Sequence, residues 1–190
     1  MSFRQTTLCG VLSGALLLAA VPTSGQGTAE TFSATATVKT AGGAGASAPV
    51  TIVVDRKMSE SEVDKFLAAF KSGGAPALRK ALEGVPPTGS VTVGKGKPTP
   101  TRMTLERTTD KGRLLTIVAD TPILHLGAGL PEAKSKEGYD FAVVDIEVDS
   151  TGSGSGTFAP AAKVTVKQDA FVVEDYGSER LALAGVKKVK

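Results

Sequence analysis

Residues 139–149, YDFAVVDIEVD, decide the fold. Val144, Ile146 and Val148 alternate with Asp145, Glu147 and Asp149. Successive side chains on a β-strand leave opposite faces, so this stretch predicts a strand with one apolar face and one wet face. The same period of two recurs at 88–95, 101–108, 113–119, 157–167, 170–175 and 179–186. Turn residues separate these segments: Lys97-Pro98, Asp110-Lys111-Gly112, Thr151 to Gly156, and Tyr176-Gly177-Ser178. Strands joined by such short connections form antiparallel meanders.

Upstream, residues 31–39 alternate as well, with Phe32, Ala34, Ala36 and Val38 on one side. Residues 40–48, TAGGAGASA, read as a loop by composition. A β-branched run, Val50 to Val54, is a second strand. Between the two strand-rich regions the period changes. Ser59 and Glu62 have the spacing of a helix capping box, with Met58 and Val63 placed for a hydrophobic staple. Val63, Phe66, Leu67 and Phe70 then form one helical stripe that Gly73-Gly74 ends. Pro76 starts a second helix, which buries Leu78, Ala81 and Leu82 and stops at Gly84. The expected fold is α+β: a mostly antiparallel bent sheet or barrel of about nine strands, with one helical hairpin over 59–84. Residues 121–138, with Pro122, Gly127, Gly129 and Pro131, read as a long surface loop.

The N-terminus has a different character. Arg4 precedes an apolar run over 8–21, LCGVLSGALLLAAV, followed by the small and polar residues 22–27. That order is the pattern of a secretory signal peptide over 1–27, with cleavage between 25 and 29. Residues 28–190 then form a single β-rich domain. Cys9, the only cysteine, lies inside the signal, so the mature chain has no thiol for a disulfide, a nucleophile or a sulfur metal site. The signal removes one of 22 basic residues and none of the 19 acidic ones, which leaves a net charge of +2. So balanced a charge is a poor footprint for nucleic acid. The chain has no Trp and no Asn, which also disfavours sugar recognition.

No catalytic, cofactor-binding or metal-binding residue is assigned. Asp145, Glu147 and Asp149 share a strand face, and three carboxylates could hold a hard cation. Their alternation with a buried face already explains them, and a strand splays them too far apart for one ion. His125, flanked by Leu124 and Leu126, lacks the nucleophile elbow of a serine hydrolase and reads as structural. Gly152, Gly154 and Gly156 precede a strand pattern, not a helix, and read as a hairpin loop; Lys95 and Lys97 read as turn residues. Asp120, before Thr121-Pro122, reads as a turn former. Lys187, Lys188 and Lys190 read as a solvated tail, and Lys163 and Lys167 as charges guarding a sheet edge.

The stretch from about Thr88 to Val186 resembles a family. Ala119-Asp120-Thr121-Pro122, then Phe141 to Asp149, a glycine-rich turn, Ala161-Ala162-Lys163 and Tyr176-Gly177-Ser178-Glu179 are similar to exported bacterial proteins of unassigned function. The resemblance implies bacterial origin and export, and no activity.

Three functions follow as expectations. The first is an exported, non-catalytic binding or envelope-assembly domain. The second is a barrel-type carrier of a small apolar ligand, in a pocket lined by Phe141, Phe158 and Phe171. The third is a carboxylate-based hydrolase, which requires two acids from separate strands in unlike environments. The partner is a small apolar ligand or an envelope protein; no cofactor is implied, and no membrane span after the signal.

Overall fold

The computed structural model describes residues 28–39, 45–124, 136–168, 170–177 and 180–189. Residues 1–27, over which a signal peptide is expected, with Cys9, and also His125 and Lys190, lie outside them. The alternating stretch forms β7 (Phe141–Val148). Ala142, Val144, Ile146 and Val148 are buried on its inner face, while Phe141, Val143, Asp145 and Glu147 face outward.

The other strands are β1 (Glu30–Lys39), β2 (Gly45–Val54), β3 (Gly89–Val93), β4 (Thr99–Thr101), β5 (Met103–Thr109), β6 (Gly112–Ala119), β8 (Ser153–Lys167), β9 (Ala170–Tyr176) and β10 (Leu181–Lys188). Every pairing is antiparallel, in the order β4-β3-β2-β1-β10-β8-β7-β6-β5, with β9 hydrogen-bonded to β8 alone. Sequential strands pair from β1 to β4 and again from β5 to β9, and β10 inserts between β8 and β1.

The two ends of this order meet in the chain. β4 and β5 are separated only by Arg102, and the strand switches partner there from β3 to β6. The Arg102 amide donates to the Val118 carbonyl at 2.9 Å, and the Thr88 amide to the Thr101 carbonyl at 2.7 Å. The result is a nearly closed antiparallel barrel. A closed sheet leaves few free edges, which removes the aggregation hazard of unpaired N–H and C=O groups.

The barrel interior is packed with side chains. Phe32, Ile52, Leu115, Ile146, Phe158 and Leu181 meet there and are almost fully buried. A second apolar layer lies outside. Helix α1 (Glu60–Glu83) rests through Phe66, Leu78 and Leu82 on Met103, Val118, Phe141 and Val143. The Ser59–Glu62 capping box forms as the spacing predicts. Phe70 of α1 meets Phe171 of β9 edge to face, with ring centroids 6.0 Å apart.

Gly73 and Gly74 end the first helical half as expected, but the second half follows directly across a kink, so residues 60–83 form one kinked helix and not a hairpin. Gly74 takes φ 65, ψ −153, a conformation open essentially to glycine alone, so the chain bends there and resumes helix before Pro76. β2 begins at Gly45, inside the expected loop 40–48, because pairing with β1 overrides the weak strand propensity of Ala and Gly. Gly154 and Gly156 belong to β8, not to a loop: a Cβ on Gly156 would lie 2.2 Å from the Asp145 carbonyl oxygen. Over residues 163–167, β8 pairs with β9 on one side, and no strand pairs its other side among the described residues; Lys163 bonds Glu174 of β9 at 3.0 Å. Of the expected loop 121–138, residues 125–135 lie outside the described chain.

Candidate functional site

Among the described residues, charged constellations gather inside the barrel wall and on its outer face.

The inner one sits at one end of the barrel. Glu30 and Arg113 continue the inward-facing series of Phe32 and Leu115, two residues upstream of each on their strands. Arg113 grips Glu30 with two hydrogen bonds of 2.7 and 2.8 Å, and Lys188 donates to the same carboxylate at 2.8 Å. Arg113 also reaches Glu106 at 2.8 Å, and Lys57 reaches Glu106 at 2.6 Å. The guanidinium lies 5.9 Å from the Phe32 ring centroid, so the network rests directly on the apolar core. Glu30 is only 6% exposed, yet the Arg113 hydrogen bonds outweigh burial and hold its carboxyl at about 2. Burial works to raise Glu106, but the bonds from Lys57 and Arg113 prevail and keep it below the ordinary value. These are two carboxylates from separate strands, β1 and β5, as a hydrolase requires. Both are held ionised by shared cations, so neither is a proton donor near neutral pH. Lys188 is therefore a strand residue in an ion network, not part of a solvated tail.

The outer constellation is a groove of about 720 Å³. Its floor is the outward face of β5, β6, β7 and β8, with Leu105, Leu114, Thr116, Val143 and Asp145. β9 folds back as one wall through Phe171, Val173 and Tyr176, and Val63 of α1 contributes at the helix. Gly156 lines the groove with bare backbone, which follows from the close approach to β7.

Asp145 is the central polar group of this floor. Thr116, directly across the β6–β7 pair, donates to its Oδ1 at 2.6 Å. Burial pushes the Asp145 carboxyl above its ordinary value, against the opposing pull of the Thr116 hydrogen bond and of Arg180 and Arg107. Arg180 stacks over Tyr176, 4.9 Å from the ring centroid. Among the described residues, Asp145, Arg107 and Arg180 each lack an ion pair within 4.0 Å.

No protein family, curated protein or solved structure matches the chain. What the groove can do therefore rests on its own geometry.

The three carboxylates of β7 have separate surroundings. Asp145 lies in the groove floor, and Glu147 is at the rim, 3.9 Å from Lys111. Asp149 is used by the β7–β8 turn, where it accepts from the Thr151 hydroxyl at 2.6 Å and the Thr151 amide at 2.8 Å. Among the described residues, no three His, Cys, Asp or Glu side chains gather to hold a metal. Asp120 is more than a turn former: it is 8% exposed and lies 3.3 Å from the Arg102 guanidinium, at the corner where the barrel closes. Lys95 and Lys97 are exposed around the β3–β4 turn.

The expected apolar pocket of three phenylalanines is not assembled. Phe158 points into the barrel, whereas Phe141 and Phe171 belong to the layer beneath α1. The strand parity already separates Phe141 from Val144, but the face that Phe158 takes depends on the bulge in the β7–β8 pairing. Among the described residues, no helix is long and apolar enough to cross a membrane.

Proposed function

We propose that the chain is an exported bacterial binding domain without catalytic chemistry, and that it takes a small amphipathic ligand in the outer groove. The groove itself carries this reading. Ligand sites are concavities of roughly 300–1,000 Å³ with mostly apolar walls and a few placed polar groups. The groove combines that size with an apolar floor, the half-buried Asp145 carboxylate, Glu147 at the rim and two arginines. A barrel-like sheet fits the interior-carrier reading only weakly, because the interior positions of this one are occupied by Phe32, Ile52 and Phe158 packed together. Export and bacterial origin rest on the N-terminal pattern and on the family resemblance of residues 88–186.

Native mass spectrometry of the protein purified from the organism that makes it tests the reading. A small mass of fixed stoichiometry is expected on the wild type and lost from Leu114→Trp, which fills the groove floor. A bare wild-type protein, or a mass retained by Leu114→Trp, would overturn it.

A further inference from the structure

The charges of the groove specify the ligand more narrowly than its size does. Asp145 carries one hydrogen bond, from Thr116, and its second oxygen has no cationic partner within 4.0 Å among the described residues. Arg107 and Arg180 are within electrostatic reach of it, yet neither closes onto it. Arg180 is instead held on the Tyr176 ring. Opposite charges that line one cavity without pairing leave both signs available to a guest. An anion alone would satisfy the arginines and face Asp145. A cation alone would satisfy Asp145 and face the arginines. Only a guest with both signs meets every charge without repulsion.

Around these charges the surface is apolar: Leu105, Leu114 and Val143 on the floor, Phe171 and Val173 on the β9 wall. Burial of apolar side chains there contributes affinity, while the charged groups fix orientation. At about 720 Å³ the groove has room for more than one amino-acid residue.

Resting on the binding reading above, we propose that the groove recognises a short zwitterionic peptide with apolar side chains. Its ammonium group is received by Asp145 and its carboxylate by Arg180 and Arg107. Guanidinium groups are suited to this because they present two parallel N–H donors to a carboxylate. The ammonium needs a carboxylate acceptor that solvent does not fully screen, which is the situation of Asp145.

The probes are leucyl-leucine, N-acetyl-leucyl-leucine and leucyl-leucine amide, titrated into the full isotope-labelled chain and followed by amide chemical shifts. Leucyl-leucine is expected to shift Thr116, Asp145, Phe171 and Arg180 in a saturable way. Acetylation and amidation should each weaken binding about tenfold, the scale of one charged hydrogen bond. In Asp145→Asn, which can still accept from Thr116, free and acetylated peptides should bind alike. With Arg107→Ala and Arg180→Ala combined, both at exposed positions, free and amidated peptides should bind alike. No groove shift up to about 10 mM, a range that captures millimolar ligands, would overturn the proposal. Equal binding of all three probes to the wild type would overturn it too. If a native ligand of other chemistry is lost from Leu114→Trp while leucyl-leucine fails to bind, the peptide proposal falls and the binding reading stands.

Discussion

Glu30→Gln is the sharpest perturbation of the fold. The substitution keeps the volume of a residue only 6% exposed and removes its charge. Arg113 would lose its bidentate partner, keeping Glu106, and Lys188 would lose the carboxylate 2.8 Å away. The carboxyl is held at about 2, against an ordinary 4.5, chiefly by the Arg113 hydrogen bonds. The folded state thus favours the ionised form, and its contribution is complete above the ordinary value. It is lost as pH falls through that of the folded protein. Integrated over this difference, the contribution is about 3 kcal/mol at pH 7 and about 1 kcal/mol at pH 3. Removing one partner of a buried pair costs about 3–5 kcal/mol in general, which agrees. Urea unfolding of both proteins, followed by circular dichroism because the chain has no Trp, reads the difference directly. Glu30→Gln should be less stable by about 3 kcal/mol at pH 7, with most of the gap gone at pH 3. A gap that is the same at both pH values, or below about 1 kcal/mol at pH 7, would refute the argument.

Three further outcomes follow from the same structure. Gly74→Ala forces a side chain into φ 65, ψ −153 and should cost about 1–3 kcal/mol, measured as a lower denaturation midpoint. Phe158→Ala opens a cavity in the barrel interior and should cost about 3–5 kcal/mol in the same assay. Asp145→Asn should be as stable as the wild type or more so at pH 7. Burial raises the folded-state carboxyl, so this group adds stability as pH falls through its raised value, and the gap between the proteins should close in acid.

Most strands are legible in the sequence because one buried face imposes a period of two. β4 is not, since three residues containing Pro100 carry no period. The barrel's closure is also invisible. It depends on β4 and β5 taking different partners on either side of Arg102, which no local pattern encodes. Gly154 and Gly156 look like loop residues by composition, and only the nearness of the β7 carbonyls shows why a strand needs them.

The polar groups divide in the same way. Asp145 stands out in the alternation of 139–149, but its value depends on β9 folding back with Phe171 and Tyr176, a long-range event. The Glu30–Arg113 pair had a faint signal. Each residue lies two positions before a core residue, Phe32 or Leu115, and so shares its inward parity. That parity shows where the side chains point; it does not show that two strands bring opposite charges together.

The most direct test of the central claim is a crystal structure of the protein purified from the organism that makes it. Non-protein density in the groove between Asp145 and Arg180, against Leu114 and Phe171, is the predicted result. Density inside the barrel among Phe32, Ile52 and Phe158, with the groove holding only water, would contradict it.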